Sequence, residues 1–167
     1  MPVPKNDRFF NSKLKIERAK RHIRELSNEI VDYLKTKPFR IVVEKDTNSS
    51  NHLWTLRVRR EVPCHLAVII GDAIHNLRAS LDLLASDLVS IAGGNTNNVY
   101  FPFGDSPEGF EEMVKKRHLD RAGADIVEVV RSFKPYNGGN ELLRAIHDLD
   151  ITDKHKALIP SAHYAGA

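Results

Sequence analysis

Three residues near the middle of the chain, His75, Arg78 and Asp82, are spaced by three and four positions. On a helix that spacing makes one row of side chains. They lie in the string Ile70-Gly71-Asp72-Ala73-Ile74-His75-Asn76-Leu77-Arg78-Ala79-Ser80-Leu81-Asp82, each directly after an apolar residue (Ile74, Leu77, Leu81). A helix turns by about 100° per residue, so the polar row flanks an apolar stripe. A later segment repeats the device: His147 follows Ile146, Asp150 follows Leu149, and Asp153, Lys154 and His155 come next. If the two helices pack antiparallel or at a shallow angle, the rows meet. The candidate catalytic cluster is therefore His75, Arg78, Asp82, His147, Asp150, Asp153, Lys154 and His155.

Buried charge is costly unless it is paired and hydrogen-bonded. One reading of the cluster is thus structural: Arg78 pairs with Asp82, and the polar row fixes helix register. The other is chemical. Histidine supplies acid and base, and arginine or lysine holds an anion, which is what metal-free cleavage of RNA requires. Three histidines and three aspartates also offer metal ligands, but no H-E-x-x-H or similar spacing is present and no metal is expected. No cofactor is expected either, since the chain has no P-loop, G-x-G-x-x-G or G-x-S-x-G string. Cys64 is the one cysteine. It excludes a disulfide framework within the chain, suits a cytoplasmic setting, and is expected to be a buried structural thiol.

Net charge is +3, yet residues 1–24 alone carry eight Lys or Arg against Asp7 and Glu17. A basic surface of Lys13, Lys20, Arg21 and Arg24 on the first helix, with Arg40, Arg57 and Arg59 further on, is the candidate contact for nucleic acid or another partner. No run of apolar residues is long enough for a membrane span, and no membrane partner is expected.

The elements that must position these groups are legible from periodicity. Ile16, Ala19, Ile23, Leu26, Ile30 and Tyr33 recur at alternating spacings of three and four within a helix at 11–36, capped by Asn11 or Ser12 and stopped by Pro38. That seam suits either an internal helix contact or a short dimer interface. Alternation over 39–46 and 52–62 gives a β-hairpin with a polar turn at 47–51. The hairpin is expected to cover one end of the bundle or to mediate assembly. A long helix at 64–92, apolar on more than one face, is the central element. Tyr100-Phe101-Pro102-Phe103 is expected to plug the core. Short helices at 107–117 and 121–133 and a helix at 140–151 follow, and the tail from Ala157 is a strand or a loose end. The whole of 1–167 is read as a single domain, mainly α, a helical bundle of four to five helices with one hairpin inserted between the first two, the long helices antiparallel and the chain a homodimer.

Taken together, the Gly71–Asp82 string, Lys134-Pro135-Tyr136 and Asp153-Lys154-His155-Lys156 resemble a family of uncharacterised bacterial and phage proteins. Its marks are a G-D-x-x-H-N-L-R-x-x-L-D helix, an aromatic–proline loop, a Pro-Tyr turn and a late D-K-H-[RK]. The resemblance covers roughly residues 62–158 and implies that His75, Arg78, Asp82, Asp153, Lys154 and His155 belong together. It departs at Leu83, where members carry a further histidine. Arg60 and His65, separated by four residues, resemble the motif of HEPN ribonucleases, set here at a strand–helix junction with a proline inside. Two functions stay open: a non-enzymatic binding or regulatory domain, in a setting such as phage–host conflict, or a HEPN-like metal-independent ribonuclease.

Overall fold

The structure, a computed structural model, describes residues 7–45 and 52–155, the side chain of His155 excepted. The turn expected at 47–51 and the tail from Ala157 lie outside the described residues. Helix α1 spans Phe10–Lys35, strand β1 Phe39–Lys45, strand β2 His52–Val58 and helix α2 His65–Ile91. Helix α3 spans Pro107–Lys116, α4 Ala124–Ser132 and α5 Glu141–His155, with a 3-10 turn at Leu119–Ala122 before α4. The fold is mainly α, five helices with an antiparallel hairpin between the first two.

Helices α1 and α2 run antiparallel side by side. His65, at the start of α2, places Nε2 3.3 Å from Glu29 Oε2 late in α1. Arg8, just before α1, shares a cleft with Asp87, Ser90 and Ile91 at the far end of α2. The buried residues of α1 are Ser12, Ala19 and His22, two of them small enough to let the helices approach closely. The expected seam is therefore only half right. Ala19 is buried, but Ile23 and Ile30 stand exposed, because the inward stripe is rotated toward Ser12 and His22. The expected side-chain cap at Asn11 or Ser12 is also absent: α1 starts at Phe10 without one, and Asp7 Oδ1 accepts from the Phe9 N–H instead.

The core gathers on the second half of α2. Ala85 and Val89 meet Val99, Phe101, Phe103, Phe110, Val114, Leu119, Ala122, Val127 and Val130. The aromatic loop plugs this core as expected, except that Tyr100 is exposed with the Arg117 guanidinium over its ring. Ser106 caps α3 by accepting from the Gly109 N–H, with Pro107 in the first turn, where a missing N–H is harmless. Arg131 of α4 grips Glu111 of α3 through Nε and Nη2. The single helix expected at 121–133 is broken, since Gly123 takes φ +95°, a conformation that glycine adopts freely and a helix interior excludes. Helix α5 runs one turn past the expected Ile151. Lys154 reaches back to Asp150 over that turn, the spacing at which opposite charges support a helix.

Among the described residues the hairpin covers none of the helical body. In both strands only the central pair, Val42 and Thr55, is even half-buried. Its base is pinned instead. Arg59 N–H bonds Pro38 O, Tyr33 Oη donates to Arg60 O, and the Tyr33 and Phe39 rings meet edge to face.

Gly104 joins the aromatic loop to the rest. Its N–H bonds Pro135 O and its carbonyl accepts from Arg144 Nη1. A Cβ there would stand 2.4 Å from Phe110 N and 2.7 Å from Phe110 Cα, and backbone cannot move aside as a side chain can. Gly104→Ala is expected to lower unfolding stability by about 2 kcal/mol or more in urea titration, with a wild-type midpoint in the variant counting against that packing.

Candidate functional site

The site lies where α5 crosses α2. His75 Nδ1 sits 3.0 Å from Asp150 Oδ1, and Arg78 Nε donates to His147 Nδ1 at 3.2 Å. Three residues forward on α2 answers three residues back on α5, so the helices run antiparallel and their polar rows face each other. Asp153 against Gly71 fits the same register. The structure thus brings together His75, Arg78, Asp82, His147, Asp150 and Lys154, as the flanking-row argument expected.

Two halves of the site differ in character. The inner half is built on Arg78, whose side chain is 12% exposed. Nη1 stands 2.5 Å from Asp82 Oδ1 but off hydrogen-bond alignment, which makes the contact an ion pair without a directed bond. Asp82 Oδ1 also accepts the Phe101 N–H at 2.9 Å. The guanidinium lies over the Phe103 ring, 4.8 Å from its centre, and the His147 ring stacks nearly parallel on that same Phe103 ring at 4.4 Å. Because His147 Nδ1 accepts from Arg78, its proton belongs on Nε2. Burial first, then the Arg78 and Arg144 guanidinium groups, push its imidazole below the ordinary value; Asp148 and Asp150 oppose them.

The outer half is built on Asp150, whose side chain is 7% exposed between His75 at 44% and Lys154 at 43%. Lys154 Nζ lies 2.7 Å from Asp150 Oδ2, so each carboxylate oxygen has its own cationic or imidazole partner. An imidazole oriented by a buried carboxylate with its remaining edge toward water is a competent acid–base group. Asp153 is displaced from this half. Its carboxylate presses on Gly71, where a Cβ would come within 2.5 Å of Oδ1, and that oxygen is buried with no partner among the described residues. The side chain of His155 lies outside the described residues, so its membership of the cluster rests on sequence.

Sequence reasoning missed Phe103 as a site residue and Arg144 altogether. Arg144 holds Asp148 and Asp105 and donates to Gly104 O. Its position three residues before His147 was the available signal. No grouping of three or more His, Cys, Asp or Glu that could hold an ion occurs among the described residues.

On the candidate partner surface, Lys13 is paired with Asp7, Lys20 with Glu17 and Arg57 with Glu44. Arg21, Arg24, Arg40 and Arg59 stand exposed. Cys64 is exposed, against expectation: it directly precedes α2, whose inward face is formed by Leu66, Ala67 and Ile69. Arg60 and His65 are exposed at the strand–helix junction, with His65 facing Glu29. No helix among the described residues is long and apolar enough to cross a membrane.

His147 gives the site a pH signature. Its folded-state value lies below 6.5, so as pH falls the unfolded chain takes up a proton first. Stability is complete above the ordinary value and declines as pH drops toward the folded one. Between about pH 7 and about pH 5.5 the urea midpoint is expected to fall more steeply in wild type than in His147→Gln. Parallel profiles would contradict the assignment.

No protein-family model matches the chain, and neither a curated protein nor a solved structure matches it significantly.

Proposed function

We propose that the chain is a non-enzymatic binding domain that works as a homodimer in the cytoplasm. The observation that carries this is the apolar surface left uncovered outside the packed body. Ile23, Ile30, Val31 and Leu34 are exposed on α1, and Phe39, Ile41, Val43, Trp54, Leu56 and Val58 on the hairpin. A surface of this kind marks an interaction site when its members are contiguous. The polar cluster serves as a clamp in this reading. Asp82 is answered by Arg78 and the Phe101 N–H, and Asp150 by His75 and Lys154. Those bonds fix α5 and the aromatic loop on α2. The exposed Cys64 thiol fits a reducing compartment. The exposed Arg21, Arg24, Arg40 and Arg59 are the groups by which the dimer would hold an anionic partner such as nucleic acid.

Sedimentation velocity over a concentration series tests the homodimer, with a shift from one chain to two expected across the micromolar range. A single-chain species throughout would overturn it.

A second reading has one observation in its favour, the outward edge of His75 beside Lys154. It makes the chain a metal-independent ribonuclease. His75 would take the 2′-hydroxyl proton as the 2′-oxygen bonds to phosphorus. The bond to the 5′-oxygen breaks, that oxygen takes a proton from a solvent water, and Lys154 steadies the phosphorane. Under the binding reading, single-stranded RNA incubated with the protein in chelator stays intact and His75→Gln behaves as wild type. Cleavage by the wild type that is lost in a folded His75→Gln variant would install the enzyme instead.

A further inference from the structure

The homodimer proposed above has two surfaces on which it could form, the outer flank of α1 and the hairpin. The hairpin's register separates its residues cleanly. Phe39 lies opposite Val58, Ile41 opposite Leu56 and Val43 opposite Trp54. Cross-strand partners project to the same side of the pleat, so these six apolar residues form one face. Arg40 lies opposite Arg57 and shares the other face with Glu44 and Leu53. Arg59 continues that side, since its N–H extends the register to Pro38 O.

We infer that the apolar hairpin face is the dimer interface, docked face to face on the same surface of a second copy; this rests on the homodimer reading and names its contact. Trp54 is 69% exposed, and Ile41 and Leu56 are each 64% exposed. The six residues together expose roughly 600 Å², backbone included and mostly apolar, the upper end of what a monomer ordinarily shows. Two such faces fully covered would bury at most roughly 1,200 Å² between them, the lower bound for a specific interface, to which the neighbouring flank of α1 would add. A two-stranded ribbon with neither face packed is marginal in water, and a second layer supplies what it lacks.

The alternatives fit less well. Pairing through the strand edges would lengthen the sheet and leave the same face wet. Meeting through the opposite face would set Arg40 and Arg57 against their own copies. The six residues carry no charge with which to select a different protein, so a symmetric apolar contact matches them best. Insertion into lipid is opposed by the composition of the sequence between the two strands, Asp46 to Asn51, which is polar throughout.

The test uses the full chain. Ile41→Lys/Leu56→Lys and, separately, Trp54→Ser are compared with wild type by sedimentation, with Leu53→Lys as the opposite-face control and circular dichroism as the measure of helical folding. The wild-type dimer is expected to weaken by about a hundredfold in the double variant and measurably in Trp54→Ser. Leu53→Lys stays dimeric, and wild-type tryptophan emission shifts to the blue as concentration rises. A dimer unaffected by the hairpin variants would overturn the inference while leaving the homodimer in place through α1. A wild-type monomer would overturn both. A wild type that stays monomeric but floats with phosphatidylcholine–phosphatidylglycerol vesicles would replace the second copy with lipid.

Discussion

A carboxylate taken out of water must find its counter-charges inside the protein, and Asp150 is the residue on which that requirement falls hardest. It sits on the inward side of α5, and both its oxygens are answered, one by His75 across the helix contact and one by Lys154 a turn along. That demand sets the register of α5 on α2 to a single residue. Slip by one turn would leave Asp150 without His75 and Arg78 without His147. Apolar packing alone tolerates such slips, because a leucine stripe presents much the same surface one turn on. Buried polar pairs do not.

The same seam orders the aromatic loop. Arg78 sits over Phe103 while holding Asp82, and Asp82 holds the Phe101 backbone. His147 completes the stack from α5. One guanidinium thereby joins three segments distant in the chain. The planar fork explains why arginine is used: it pairs, donates and stacks at once, which an ammonium cannot do. The body formed in this way is rigid around α2, and the two halves of the cluster divide between a sealed anchor at Arg78 and a wetter rim at His75.

Much of this was legible in the sequence, and the parts that were not share a cause. The flanking rows of α2 and α5 could be read because local periodicity fixes which side of a helix a residue occupies. The convergence of the two rows was conditional on the helices packing antiparallel or at a shallow angle; the antiparallel sense and the pairing of His75 with Asp150 come from the structure. The α1 seam could not be read as well. Spacing reported that a helical stripe existed, but Ser12 and His22 rather than Ile23 and Ile30 face inward. Close approach to α2 favours small residues, and hydrophobicity patterns give these no weight. The break at Gly123 was missed for a related reason, since the flanking residues are good helix formers and only the backbone angle at glycine ends the run. Phe103 is core, as its sequence context suggests, but its role as the ring on which both Arg78 and His147 rest depends on contacts that no local pattern encodes.

The hairpin inverts the logic of the seam. Along the α2–α5 seam the carboxylates of Asp82 and Asp150 are enclosed and answered; on the hairpin, apolar groups are presented and left uncovered. The ribbon is nevertheless held in direction. Pro38 is buried at its base and accepts from Arg59, Tyr33 bonds Arg60 O, and Phe39 leans on Tyr33. A flexible loop with the same composition would lose ordering entropy on binding, whereas a ribbon fixed at its root has already given most of it up. Rigidity at the root and exposure along the face are jointly what an assembly element needs. The polar seam that orders α5 on α2 and the pin that orients the hairpin on α1 together fix the frame from which the hairpin's apolar face projects.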